Sequence, residues 1–415
     1  MGISLDLLSL VTATLFAATS VEAAANFNVQ PFQINLASKI PRLDALVRNT
    51  HLPEKALFPG VGPSYGVELD VLRDLQSEWL DSFDWATQEA ELNELKHYTA
   101  VIEGLTVHFV HEKSTEKDAI PLILLHGWPG SFQEFLPVIK PLTQSGTSST
   151  GKNISYHVVV PSLPGFVFSS APPANWTIDD TARIFNVLMT EVLGYSTYTL
   201  HGTDWGSVIG YELYGSFNTS VRAAQFVFIP FLPPSANEIA ANNITLSAVQ
   251  QVAEQRFEAW STTGFSYFTE QTNKPNNIGL ALYDNPVGQL TWIGGSIKLW
   301  SDPHAGTPLS VLNNTAILTS VSLYFLTESF LSLVWIYAQN AQALRTVYTR
   351  AATDAPLLFS QYEYNTGIWP KEYVEKVGNL VSYTEHDFGG HFAGLDNPLL
   401  ALIQDIQEMG LYFED

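Results

Sequence analysis

The sequence predicts a doubly wound α/β fold, a mostly parallel sheet covered on both faces, with a helical lid and an N-terminal extension. Three observations carry this. Apolar runs at residues 120–125, 156–160, 198–200 and 226–229 lack the polar alternation of a half-solvated strand, so they suit parallel strands buried on both faces. Amphipathic stretches such as 179–193, with apolar Ala182, Ile184, Phe185, Val187, Leu188 and Val192, alternate with them. From Pro233 to Arg345 this rhythm gives way to aromatic-rich helical segments, after which 357–359 and 380–383 restore strands, so a lid interrupts one sheet.

The elements fall in order along the chain. Residues 1–23 form an apolar run of leader length that ends in Val21-Glu22-Ala23, the small-residue pattern of a signal-peptide cleavage point. A secreted or endomembrane-lumen protein is expected, with an N-terminal membrane anchor as the alternative. Residues 24–118 hold the extension and the first core strands, including a hairpin at 98–112 that turns at Glu103-Gly104. Residues 119–232 form the first part of the core, 233–345 the lid and 346–415 the C-terminal part of the core. Five sequons, at Asn153, Asn175, Asn218, Asn243 and Asn313, offer sites for N-glycans and fit a secretory route.

Composition excludes several classes of function. The 415 residues contain no cysteine, which removes disulfides, zinc–thiolate sites and thiol nucleophiles together. A formal charge of −22 opposes binding to nucleic acid. No His-Glu-x-x-His zinc motif and no phosphate loop is present, so neither metal nor cofactor is expected.

In a fold of this kind the chemistry gathers at the carboxyl ends of the strands. Three such ends are unusual. His126-Gly127-Trp128-Pro129-Gly130 follows the first core strand and makes a tight turn able to aim a backbone N–H into a site, as an oxyanion loop does. Gly202-Thr203-Asp204-Trp205-Gly206-Ser207 follows 198–200, and its glycines bracket Asp204 as those of a nucleophile elbow bracket a serine. A carboxylate is ionised at neutral pH and needs no base to attack, and it suits displacement at a saturated carbon such as that of an epoxide or alkyl halide. A plain helix cap is the alternative for Asp204. Gly389-Gly390-His391-Phe392-Ala393 follows the last strand, which puts His391 third in the chain order nucleophile, acid, histidine.

These three motifs together resemble the signature set of microsomal-type epoxide hydrolases within the α/β-hydrolase superfamily. Phe32-Gln33-Ile34, Leu43, the turn Leu52-Pro53-Glu54, Trp79 and Trp85 are similar to that family's N-terminal extension, and the resemblance spans about residues 27–415. It implies Asp204 as nucleophile, His391 as the base that activates water, and the backbone N–H groups of Trp128 and Trp205 as the oxyanion hole. It also implies two lid tyrosines that donate protons to the opening ring, matched by Tyr267 in Gly264-Phe265-Ser266-Tyr267-Phe268-Thr269-Glu270 and by Tyr337. Where the family carries an acid to orient the histidine, counting back from Gly378-Asn379-Leu380-Val381 lands on Asn365. Glu363, two residues earlier and on the same face of an extended chain, is a candidate for that role.

The expected activity is conversion of an apolar epoxide and water to a vicinal diol through an aspartyl ester. A haloalkane dehalogenase-like hydrolase and a degenerate, non-catalytic binding protein are the alternatives, and a homodimer is left open.

Overall fold

The computed structural model describes residues 27–413, and the expected leader at 1–23 lies outside the described residues. Nine strands make one sheet: β1 (Gln30–Phe32), β2 (His97–Ile102), β3 (Leu105–Glu112), β4 (Ile120–Leu125), β5 (Tyr156–Pro161), β6 (Tyr198–Gly202), β7 (Val221–Phe226), β8 (Pro356–Tyr364) and β9 (Asn379–Gly390). Their spatial order is β1-β2-β3-β5-β4-β6-β7-β8-β9. The pairings of β1 with β2, β2 with β3 and β3 with β5 are antiparallel, and every later pairing is parallel.

The expected hairpin is present as β2 and β3. Glu103 and Gly104 both take left-handed φ, 51° and 84°, the geometry of a tight two-residue turn whose twist matches the strands it joins. The strand expected at 226–229 instead runs from Val221 to Phe226. Its polar members Arg222 and Gln225 hide it from an apolar-run reading. Gln225 is nevertheless fully buried, with its Nε2 donating to Ser360 Oγ at 2.9 Å on β8.

The register of β4 and β6 positions the site. Leu122 pairs with Thr199, Leu124 with His201 and Leu125 with Gly202, so the loops after the two strands leave the sheet side by side. The Thr203 N–H donates back to the Leu125 carbonyl at 3.0 Å, fixing the two exits to each other.

The lid leaves and rejoins the core at one point. The Leu232 N–H donates to the Arg345 carbonyl and the Arg345 N–H to the Pro230 carbonyl, each at 2.9 Å. Its helix Asn314–Leu326 is capped by the Asn313 side chain on the Ala316 N–H and is buried from Ile317 to Leu326. The extension clamps this helix from outside. Trp79, 3% exposed, donates its indole N–H to Ser322 Oγ at 3.1 Å, and Asn314 Nδ2 donates to Glu78 Oε2 at 2.7 Å. Burying a side chain as large as Trp79 contributes on the order of 3 kcal/mol, so the extension secures the lid mainly through apolar contact. Among the described residues no single helix is long and apolar enough to cross a membrane.

Candidate active site

Asp204 stands where β6 passes into the helix Asp204–Ser216, with φ at +46°. A non-glycine residue held there costs roughly 1–3 kcal/mol, a strain that the surrounding packing must offset. Glycine makes that packing available. A Cβ on Gly206 would lie 1.9 Å from the Leu125 carbonyl oxygen, and one on Gly127 would lie 2.2 Å from Asp204 Oδ1 and 2.6 Å from the Trp205 nitrogen. The loop after β4 can therefore close directly onto the elbow.

That closure gives the carboxylate its first partner: the Trp128 N–H donates to Asp204 Oδ1 at 2.7 Å. The Trp205 N–H belongs to the first helical turn and has no intrahelical acceptor. Of the two implied oxyanion donors, the Trp128 N–H is bonded to the Asp204 carboxyl, and the Trp205 nitrogen faces the same Gly127 loop. Behind the elbow lies Glu134, 2% exposed, whose Oε2 accepts from Thr203 Oγ1 at 3.3 Å. Burial, and after it the charge of Asp204, raises the Glu134 carboxyl well above the usual carboxylate range. No sequence pattern marked this residue.

His391 Nε2 is 3.3 Å from Asp204 Oδ2, a close approach that is not aligned as a hydrogen bond. Its Nδ1 is 2.9 Å from Asn365 Oδ1. The orientation of that amide follows from its other contacts, because Asn365 Nδ2 donates to the Val227 carbonyl at 2.8 Å and Oδ1 accepts the Thr366 N–H at 2.8 Å. With an oxygen facing it, Nδ1 must carry the hydrogen, which leaves Nε2 as the nitrogen directed at Asp204. Glu363 does not join this set. The Asn365 N–H donates to the Tyr362 carbonyl, so the chain turns where an extended segment was expected, and Asn365 rather than Glu363 meets the histidine. The Glu363 carboxyl, raised by burial, sits instead among Tyr364, Asp387, Asp302 and His304.

The lid brings both expected tyrosines over the elbow. Tyr267 stacks on the Trp128 indole with ring centroids 5.0 Å apart, Tyr337 stands edge-on to Trp205 at 4.9 Å, and the two phenol rings are 5.9 Å apart. Burial raises both hydroxyls well above 10, reinforced by the negative charge of Asp204, so both stay protonated donors. The Tyr337 hydroxyl is buried and has no hydrogen-bond partner among the described residues. Around these groups lies a cavity walled by Phe228, Phe231, Trp260, Phe268, Trp300 and Trp369, an apolar and largely aromatic surface. Trp300 had no signal in the sequence beyond being one of ten tryptophans.

One stretch does match the serine version of the elbow spacing, Gly62-Pro63-Ser64-Tyr65-Gly66. It forms an exposed turn in the extension and follows no strand. A serine esterase has no site there.

The chain is similar to known proteins over most of its length. Residues 29–135 match the family described as epoxide hydrolase N terminus, and residues 120–309 match the alpha/beta hydrolase fold. The structure of Aspergillus niger epoxide hydrolase superposes with a TM-score of 0.79 at 32% identity, covering 93% of this chain and 97% of that one. Epoxide hydrolase 1 of Sus scrofa is 27% identical over 94% of this chain and 90% of its own length. Juvenile hormone epoxide hydrolase from the silkworm Bombyx mori shares the fold, with a TM-score of 0.82 at 23% identity over 93% of this chain and 95% of that one. With an aspartate at the elbow, a histidine beside it and two phenols above, the chain belongs to the epoxide hydrolase family of the α/β-hydrolase fold.

Proposed function

We propose that this epoxide hydrolase converts apolar epoxides to vicinal diols through a covalent ester on Asp204. The observation that carries the mechanism is the placement of His391. Its Nε2 faces the Asp204 carboxylate at 3.3 Å without an aligned hydrogen bond to it, and Asn365 holds the hydrogen on Nδ1.

The epoxide lies in the aromatic cavity with its oxygen at Tyr267 and Tyr337. Asp204 attacks a ring carbon, the carbon–oxygen bond breaks, and a phenol O–H gives its proton to the departing alkoxide. In the second half His391 Nε2 takes a proton from water, and the hydroxide adds to the ester carbonyl. The Trp128 and Trp205 N–H groups hold the oxyanion that forms. Collapse of this intermediate frees the carboxylate, and the diol leaves with the proton returned through the imidazolium; the tyrosine is reprotonated from solvent. Two phenols stand over the nucleophile, which favours ring opening over halide release. His391→Gln is expected to accumulate a protein adduct of the mass of protein plus epoxide, whereas Asp204→Asn forms none. Free turnover by Asp204→Asn would refute the assignment.

We further propose a secretory route. It is supported by the leader-like run at 1–23 and by the exposure of all five sequon asparagines, Asn153, Asn175, Asn218, Asn243 and Asn313. Protein secreted from a eukaryotic host should lose mass on endoglycosidase treatment. Unchanged mass, or recovery only in membranes, would favour the anchor.

A further inference from the structure

The loop that carries His391 is held by groups that the mechanism above does not use. Three successive residues give up their backbone N–H groups in turn: Gly389 to Asp302 Oδ2 at 2.6 Å, Gly390 to Asp396 Oδ2 at 3.0 Å, and His391 to the Trp300 carbonyl at 3.0 Å. The Asp302 N–H closes the set on Asp396 Oδ2 at 3.2 Å. Trp300 and Asp302 lie in the lid, nearly ninety residues before the histidine. The contact leaves no room for a methyl group, because a Cβ on Gly390 would lie 2.7 Å from the Asp302 nitrogen and 2.8 Å from Asp396 Oδ2.

Two carboxyls are therefore buried side by side, Asp302 at 2% and Asp396 at 0% exposure. Burial and the neighbouring Asp302 raise the Asp396 carboxyl to about 8, so at neutral pH it keeps its proton. Asp302 accepts three N–H donors, from Gly389 and from the His304 backbone and Nδ1, at 2.6, 2.6 and 2.7 Å. Several N–H donors converging on one carboxyl favour a carboxylate over a carboxylic acid there. Arg256, from the lid helix Ala248–Ala259, donates to the Leu299 and Ser301 carbonyls at 2.9 and 3.3 Å and feels both carboxyls. Glu363, Tyr364 and His304 also face Asp302, and Glu134 and Tyr362 face Asp396.

The hydrolytic half-reaction creates a need for such a charge. When His391 takes the proton from water, Asp204 is a neutral ester and Asn365 is a neutral amide, so neither balances a buried imidazolium. We infer that Asp302, on the lid, is a positioning residue for the base, holding the His391 loop in place and supplying the negative charge that the triad lacks. This rests on the reading of His391 as base. It ties the lid that closes over substrate to the group that completes turnover.

The test follows single turnovers of styrene oxide, with enzyme in excess, by intact-protein mass spectrometry across pH 5–10. Asp302→Asn is expected to form the ester within about threefold of the wild-type rate. Its ester should then decay about tenfold more slowly, with the acid limb of decay moved to lower pH by about one unit. Asp302→Glu should restore the limb. Arg256→Gln, a change on the more accessible side of the cluster, removes a cation, so its acid limb should move to higher pH even if the asparagine variant proves unstable. Ester decay in Asp302→Asn with the wild-type rate and limb, or an unmoved limb in Arg256→Gln, would overturn the inference. Failure of His391→Gln to accumulate ester would instead overturn the reading beneath it.

Discussion

The Asn365 side chain receives the Nδ1–H of His391 at 2.9 Å and is itself anchored through Nδ2 on the Val227 carbonyl. An amide in this place fixes the imidazole tautomer and orientation but brings no charge. Asn365→Asp should stabilise the imidazolium and move the acid limb of ester hydrolysis to higher pH by about one unit. The same change sets a carboxylate against the Val227 carbonyl, so folding stability should fall by about 1–3 kcal/mol in denaturant titrations. An unmoved limb would mean that Asn365 does not contact the base during turnover.

The two phenols above Asp204 should be separable from the base by kinetics. Tyr267→Phe and Tyr337→Phe are each expected to slow ester formation by about 10²–10³, with ester decay little changed. Because burial and Asp204 hold both hydroxyls well above 10, ester formation should show no alkaline loss from tyrosine ionisation up to about pH 10.

The Asp396 carboxyl gives stability a pH dependence of defined sign. Its pKa rises from an ordinary 3.8 to about 8 on folding, so between these values the folded chain binds a proton that the unfolded chain has released. Stability contributed by this group is therefore complete at low pH and declines as pH rises through that window, by at most about 1.4 kcal/mol per unit. Asp396→Asn retains an acceptor for the Gly390 N–H and should flatten this slope in melts taken from pH 5 to 8.

The clamp between extension and lid should matter more to stability than to chemistry. Trp79→Ala removes a buried indole and its bond to Ser322, and should cost about 3–5 kcal/mol in chemical denaturation. Substrate binding to the remaining folded protein should weaken as the helix Asn314–Leu326 loosens. A loss below about 1 kcal/mol would show that the lid stands without the extension.

Much of this was legible in the sequence because the informative signals were local. The glycines around Asp204, the tight turn at Trp128 and the Gly-Gly loop before His391 each state a backbone requirement within a few residues; the structure places the first two at the ends of the adjacent strands β6 and β4, and the third brings His391 to them from the end of β9. The gapless count to Asn365 also found the residue that meets the histidine. Glu363 was misjudged because the turn from Tyr362 to Asn365 depends on where the chain must go after β8, which no local pattern states. Strand β7 was displaced by several residues because its buried Gln225 is satisfied only across the sheet, by Ser360. The contact between Asp302 and Gly389 joins distant segments through one backbone N–H, and a sequence carries no periodicity for that.

The central claim is that solvent oxygen enters the product by way of the Asp204 carboxyl. A single turnover in heavy-oxygen water, with enzyme in excess, followed by digestion and peptide mass analysis, tests it directly. The account predicts one heavy oxygen in the peptide bearing Asp204 and none in the diol of that first turnover. Label in the diol with none in the peptide would mean that water attacks the epoxide itself, and would contradict the account.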